Sequence, residues 1–88
     1  MKKLVTTTEV EGAGLMSLMG ERVLLMCANY FYTGKLTGVN NDFVELEDPA
    51  IVYETGQWSA AKYEDVQKLH TKLFYVRIPA IEAFGVSK

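Results

Sequence analysis

Apolar and polar residues alternate with a period of two along much of this chain from residue 21 onward, which predicts β-strands. In residues 23–28 both alternating sets are apolar, Val23, Leu25 and Cys27 on one side and Leu24, Met26 and Ala28 on the other. A strand with two apolar faces is predicted to be covered on both sides.

Four more strands are predicted, over residues 30–39, 43–53, 73–78 and 81–86. In the third strand the alternation separates an apolar face, with Val44 and Leu46, from a mostly polar face. Turn-forming residues 40–42 connect the second and third strands, and Pro79 separates the last two. Strands this short with such close connections are typical of a small barrel.

The remaining segments carry weaker patterns. Leu15, Leu18 and Met19 are spaced as on one helix face, and Gly20 is a stop signal, so a short helix is predicted over residues 12–20. Residues 1–9 are predicted to be a loose N-terminal arm or an edge strand. Residues 54–71 are predicted to be an extended excursion between strands, in which Ser59 could cap a short helix.

Two glycines interrupt the second strand, at Gly34 and Gly38, where they cost ~0.5–1 kcal/mol each. A small sheet can roll over only if its middle strands bend sharply, and glycine permits such bends. The sequence therefore predicts one mainly β domain over residues 1–88. Its predicted architecture is a short N-terminal helix followed by five strongly bent antiparallel strands that form a small open barrel.

Composition adds a prediction about assembly. Residues with apolar side chains make up 49% of a chain of only 88 residues, and a domain of this size buries only about 60–65% of its unfolded surface. Surplus apolar surface commonly forms a subunit interface. The net charge is −2, so any contact with nucleic acid has to be local rather than spread over a basic surface.

Catalytic and metal chemistry have little support in the sequence. His70 is the only histidine and Cys27 the only cysteine, so neither a His/Cys metal cluster nor an internal disulfide is predicted. Cys27 lies in an apolar run and is interpreted as a small buried hydrophobic residue. No enzyme activity and no cofactor are predicted. The sequence also lacks an apolar run long enough to span a bilayer, and a cytoplasmic location with no membrane partner is predicted.

Residues 20–50 resemble the first motif of the Sm-like family, which includes the Sm and LSm proteins and bacterial Hfq. The matching positions are Gly20, Val23, Gly34, Leu36, the turn 40–42, Leu46 and Asp48. Residues 75–84 resemble the second motif through Val76, Arg77 and Ile81. The chain is thus similar to a divergent prokaryotic or phage-type member of that family.

The resemblance implies a closed homo-oligomeric ring of about five to seven subunits, in which the last two strands of neighbouring copies pair. The residues expected at this subunit interface are Phe74, Tyr75 and Val76 on one edge and Ala83, Phe84 and Gly85 on the other. It also implies that single-stranded U- or A-rich RNA binds at the pore, with a role in RNA processing or as an RNA chaperone. The residues expected to bind RNA are Asn40, Asn41, Asp42 and Arg77.

Several alternatives remain open at this stage. Arg77 could instead form a salt bridge to Asp42 or Glu82, and Asn40 and Asn41 could simply shape the turn. The aromatic residues 30–32 could stack on bases or belong to the core and interface, and Trp58 and Tyr63 could pin the 54–71 excursion or offer an outer binding surface. The rival function is a ring-shaped scaffold that binds another protein and no RNA. The acidic pI of about 5.3 favours this rival, as does Val44, which stands where the family has an asparagine.

Overall fold

The computed structural model describes residues 14–88, which form one antiparallel sheet of six strands. The strands are β1 (Arg22–Cys27), β2 (Phe31–Val39), β3 (Phe43–Glu54), β4 (Asp65–Lys68), β5 (Leu73–Arg77) and β6 (Ile81–Val86). Their order is β4-β3-β2-β1-β6, and β5 also pairs with β3. The long strand β3 therefore holds two short strands, β4 along its second half and β5 along its first half. Because β5 and β6 do not pair with each other, the sheet is not closed.

The five strands predicted from the sequence are all present, and the bounds of each differ from the prediction by at most one residue. The prediction of only five strands is wrong, because the 54–71 excursion contains β4. The short helix suggested after Ser59 is also wrong, since residues 58–62 form turns and bends. The sequence of β4, Asp-Val-Gln-Lys, carries no apolar alternation. Its strand conformation comes from backbone pairing with β3, where Val66 lies opposite Val52.

The predicted helix over residues 12–20 is not confirmed. The described part of this segment contains a four-residue 3-10 helix, Leu15–Leu18, preceded by Gly14 at a φ of 81° and without a side-chain cap. Leu15 and Leu18 nevertheless pack against the core. A second 3-10 helix, Ile78–Ala80, forms the turn between β5 and β6 around Pro79. Residues 1–9, predicted to be a loose arm, lie outside the described residues.

Both glycines of β2 lie at irregularities in its pairing with β3. The register between β2 and β3 shifts once between Thr33 and Lys35, which spans Gly34, and again between Leu36 and Gly38. At Gly34 the two strands approach closely, since a Cβ atom there would lie 3.0 Å from the Cβ of Leu46. The register shifts match the interpretation that the glycines mark bends, because bulges bend a strand and increase its twist.

Apolar side chains pack on both faces of the sheet. The main core comprises Val23, Leu25, Cys27, Leu36, Val44, Leu46 and Val76, all at most 7% exposed. On the opposite face Leu24 is 8% exposed and Val52 6%, and between them lie Ala50 and Thr33, the one buried polar residue among residues 14–88. The prediction that the first strand is covered on both sides is therefore confirmed.

The 54–71 excursion is tied to the end of the chain by side-chain contacts. The hydroxyl groups of Tyr63 and Ser87 form a hydrogen bond of 2.9 Å. The Lys88 ammonium donates to the Gln57 carbonyl oxygen at 3.0 Å and lies 4.9 Å from the centroid of the Tyr63 ring. This ammonium also lies 5.5 Å from the Trp58 ring, although Trp58 remains 55% exposed. The interpretation that these two aromatic residues help to pin the excursion fits these contacts.

Candidate nucleic-acid interface

The turn 40–42 is held by the side chain of its first residue. The Asn40 side-chain oxygen accepts hydrogen bonds from the backbone N–H groups of Asp42 at 2.7 Å and Phe43 at 2.8 Å. The Asn40 backbone N–H in turn donates to the Phe43 carbonyl at 3.0 Å. Such an Asx-type turn is the usual local role of asparagine. The side-chain oxygen of Asn40 is thus used within the turn, while the Asn41 and Asp42 side chains are exposed.

Arg77 lies beside this turn because β5 pairs with the start of β3. Arg77 is the register partner of Phe43, and the next residue, Ile78, donates its backbone N–H to the Asp42 carbonyl at 2.9 Å. The four residues predicted to bind RNA are therefore grouped at one corner of the sheet, although they are up to 37 positions apart in the chain. This grouping follows from the β3–β5 pairing.

The Arg77 guanidinium is not committed to a carboxylate within the part of the chain that the structure describes. The ion pairs found there are Arg22–Asp48 at 3.4 Å and Lys68–Asp48 at 3.7 Å. The predicted alternative of a salt bridge from Arg77 to Asp42 or Glu82 is therefore not formed. Arg77 is exposed, so its guanidinium is available to a phosphate or to the face of a base.

A groove of about 360 Å³ begins at Arg77 and runs along β5 toward the turn between β1 and β2. Its walls include Tyr30, Tyr32 and Phe74, with ring centroids 6.2 Å apart for the first pair and 5.3 Å for Tyr32 and Phe74. Tyr32 and Phe74 are half-buried against the core, whereas Tyr30 is 46% exposed. Aromatic faces next to a guanidinium provide surfaces on which unstacked bases can lie.

The six residues predicted at a subunit interface lie on the two outermost strands, β5 and β6, and they differ in burial. Val76 is 5% exposed and belongs to the core, and Phe74 packs against that core. Tyr75 is 50% exposed and Phe84 44%, with Ala83 also exposed and Gly85 half-buried. Tyr75 and Phe84 are therefore the large exposed side chains among these six residues.

Within the part of the chain that the structure describes, the outer backbone groups of β5 and β6 have no partner strand. Since Ile78 donates to Asp42, alternation in the antiparallel ladder directs the N–H groups of Phe74 and Val76 to β3 and that of Tyr75 outward. By the same reasoning, the bond from Ser87 N–H to the Arg22 carbonyl places the Phe84 N–H on the outer side of β6. Tyr75 and Phe84 thus mark the open edges at β5 and β6.

One side-chain network next to this surface was not foreseen from the sequence. The Tyr75 hydroxyl donates to the Glu45 carboxylate at 2.9 Å, and the Thr37 hydroxyl donates to its other oxygen at 2.8 Å. The hydrogen bond to Glu45 is the main cause that raises the pKa of Tyr75 above its ordinary value. These residues carry no shared sequence motif, and only the β2–β3–β5 pairing brings them together. The network fixes the Tyr75 ring at the open edge.

Cys27 lines the same groove, but its side chain is almost completely buried. Its exposed fraction is 7%, which confirms the interpretation of a small buried hydrophobic residue. Burial raises the pKa of the Cys27 thiol, and the nearby Glu82 carboxylate adds to this effect. A thiol with a raised pKa is a poor nucleophile at neutral pH.

The fold and this corner define a β-sheet protein with an exposed arginine beside an aromatic groove at one end of an open sheet, and Glu82 also lines that groove. No protein-family model, no curated protein and no solved structure matches the chain. Within residues 14–88 no helix is long and apolar enough to cross a membrane. The same residues contain no group of three or more His, Cys, Asp or Glu side chains positioned to hold a metal ion.

Proposed function

We propose that this protein is an Sm-like module that assembles into a homo-oligomeric ring and binds single-stranded U- or A-rich RNA at the ring pore. The observation that carries the proposal is the position of Arg77, unpaired within the described residues, beside the exposed side chains of the turn 40–42. In a ring this corner would be repeated in every subunit, so that one guanidinium per copy would surround the pore.

The strand order supports a ring of this kind. Without β4, the order across the sheet is β5-β3-β2-β1-β6, which leaves the last two strands of the chain at its two opposite edges. Pairing of β5 in one copy with β6 in the next is a heterologous contact, which closes into a ring if the rotation per subunit fits. An edge without a partner otherwise risks uncontrolled pairing, so an assembly that covers both edges also protects the protein from aggregation.

The proposed RNA contacts follow from the chemistry of the site. Arg77 would form a fork onto a phosphate or stack on a base, and the groove aromatic residues Tyr30 and Tyr32 would extend the stacking surface. The Asn41 side chain and the amide nitrogen of Asn40 would donate to base edges. Asp42 would accept from a base amino or imino group. Each copy offers only a few cations to the RNA. The affinity for RNA would therefore depend on several copies of the ring acting together.

Fluorescence anisotropy with labelled oligo-U and oligo-A, at two salt concentrations, tests the RNA proposal. Arg77→Ala should weaken binding and reduce the slope of affinity against salt, since each lost phosphate contact lowers that slope by roughly 0.7 for a single strand. Lys72→Ala is the matched control, because Lys72 is also exposed but precedes β5 at its opposite end. Equal binding by the wild type and Arg77→Ala would refute a role for this corner.

A separate experiment tests the ring. Phe84→Pro removes an outward N–H while leaving the bonds from β6 to β1 in place, and proline is tolerated on an edge strand at such a position. Native mass spectrometry should show the wild type as a ring and this variant as monomers or short open assemblies. Phe84→Ala is the control that removes the ring side chain and keeps the N–H. A monomeric wild type at micromolar concentration would contradict the proposal.

The second candidate is a scaffold ring that binds a protein and no RNA. Two observations favour it: the side-chain oxygen of Asn40 is already used within the turn, and the aromatic residues Trp58 and Tyr53 are 55% and 52% exposed without lining the Arg77 groove. A scaffold would form rings in native mass spectrometry and show no oligonucleotide binding even at low salt. The same two experiments therefore separate the candidates.

A further inference from the structure

A second cavity, of about 220 Å³, lies on the opposite face of the sheet from the main core. Its floor is formed by Thr33 of β2, next to Leu24 and Ala50 in the neighbouring strands. Its walls come from residues 61–63 and 66 of the excursion and from the end of the chain. A water molecule occupies about 30 Å³ of liquid volume, so this cavity has room for a small polyatomic ligand.

The floor of the cavity contains a hydroxyl group without a partner. Thr33 is only 2% exposed, and its Oγ1 atom forms no hydrogen bond among the described residues. Buried hydroxyl groups are rarely left unpaired, because they lose their hydrogen bonds to water without replacement. Valine would fill the same space at this position without that cost. The Oγ1 atom has almost no surface open to water, so a ligand oxygen would complete its hydrogen bonding only after the Thr33 side chain turns about its χ1 bond toward the cavity.

The charge around the cavity is positive in a protein whose net charge is −2. Arg22, Lys62 and Lys88 line it, together with the hydroxyl-bearing residues Tyr63 and Ser87, and none of the acidic side chains that the structure describes lines it. Three of the nine basic residues of the chain thus meet at one small cavity, and three cations exceed what a single carboxylate would neutralise. A dianion with several acceptor oxygens fits this set of donors better.

Two of the three cations have contacts that an anion could share. Arg22 contacts Asp48 through a long ion pair of 3.4 Å and a hydrogen bond of 3.1 Å to the Asp48 carbonyl. Asp48 also lies 3.7 Å from Lys68, so its charge would remain compensated if Arg22 turned toward an anion. Lys88 donates to the Gln57 carbonyl, and the structure shows no ion pair for Lys62 among the described residues.

We infer that this cavity binds a phosphate dianion, either free inorganic phosphate or the phosphate group of a small phosphomonoester. Lys62 and Arg22 supply charge, and the Thr33 hydroxyl, turned toward the cavity by a rotation about χ1, donates to one phosphate oxygen at the floor. The site is independent of the proposed RNA surface, because its lining residues differ from those of the Arg77 groove at every position. An anion held between the excursion and β2 would also fasten the excursion to the sheet.

Phosphorus NMR titrations with inorganic phosphate and with a nucleoside 5′-monophosphate test this inference on the whole chain at constant ionic strength. Both Thr33→Val and Lys62→Gln should weaken phosphate affinity by about tenfold or more. Lys72→Gln, which makes the same change in net charge away from the cavity, should stay within about twofold. Asp48→Asn, which releases Arg22, should strengthen phosphate binding several-fold. Tighter binding of the monophosphate than of free phosphate would identify the phosphomonoester as the source.

Thermal unfolding without phosphate provides the second readout. Thr33→Val should unfold at the same temperature as the wild type or higher, since the buried hydroxyl has no protein partner to lose. A variant that is at least as stable yet binds phosphate poorly would separate a ligand role from a structural one. Absence of phosphate binding by the wild type overturns the inference, and so does equal weakening by Lys62→Gln and Lys72→Gln.

Discussion

Replacing Gly34 by alanine tests the idea that this glycine is required by the close approach of β2 to β3. A Cβ atom at position 34 would lie 3.0 Å from the Cβ of Leu46 and 3.2 Å from the carbonyl oxygen of Glu47. Carbon atoms pack best at about 3.5–4.0 Å, so both distances are too short. The Glu47 oxygen is a backbone atom of β3 and the Leu46 Cβ is bonded directly to that backbone, so neither can move by a side-chain rotation. Strand β3 would therefore have to move away from β2 at the first register shift.

The size of the effect follows from two opposing contributions. Overpacking a well-packed region costs about 1–3 kcal/mol. Alanine also restricts the unfolded chain, which stabilises by about 0.4–1 kcal/mol where the backbone conformation suits it. We therefore expect Gly34→Ala to lower the free energy of unfolding by about 1–2 kcal/mol. For a domain of this size such a loss lowers the melting temperature by very roughly 4–16 °C.

Gly38 provides a matched control on the same strand. A Cβ atom there would lie 3.3 Å from the Cβ of Glu45, and the next closest atom belongs to the flexible end of that side chain. Gly38→Ala should therefore be close to neutral. Urea unfolding followed by circular dichroism, at one fixed protein concentration because any assembly adds to apparent stability, measures both variants. Equal stability of Gly34→Ala and Gly38→Ala would refute the close-approach argument.

Four other expectations concern single groups. Leu36→Ala should cost about 2–5 kcal/mol in urea unfolding, because Leu36 is completely buried in the main core; a loss below about 1 kcal/mol would contradict that packing. Asn40→Ala should cost about 1–2 kcal/mol through the two lost turn hydrogen bonds, whereas Asn40→Asp should retain most stability. The raised pKa of Cys27 predicts slow thiol labelling at pH 8 in the folded protein and fast labelling in urea. Since the unfolded thiol loses its proton first, stability should fall as the pH rises above the ordinary thiol pKa of 9.0. Absorbance titration should show that Glu45→Gln lowers the raised pKa of Tyr75, and an unchanged curve would exclude the hydrogen bond as its cause.

The sequence predicted the strands well wherever side-chain alternation reports burial. Strands β1, β3 and β5 each carry apolar residues at alternate positions that pack in or against the core, so their period of two is visible in the sequence. Strand β4 was missed because its order comes from main-chain bonds to β3, and its side chains are all exposed. Propensity and alternation contain no information about such pairing.

The sequence predicted the residues of the candidate site, but the contacts between them depend on strand pairing and could not be predicted. Asn40 and Arg77 were named from motifs, and the β3–β5 pairing brings them to one corner. The role of Asn40 within its own turn needed the observed hydrogen bonds. The cavity around Thr33 could not be predicted, because threonine in a strand is ordinary and only the folded excursion turns that residue into the floor of a pocket.

The position of β1 has a consequence for how the chain folds. This strand lies between β2, which follows it after a short turn, and β6, whose residue Ser87 bonds to Arg22 across 65 positions of sequence. During synthesis β1 and β2 can pair early, but one side of β1 stays open until β6 has left the ribosome. Such distant pairing slows folding, and during the delay β6 of another molecule could take the vacant place by domain swapping. Refolding should therefore slow down, or yield exchanged dimers, as the protein concentration rises.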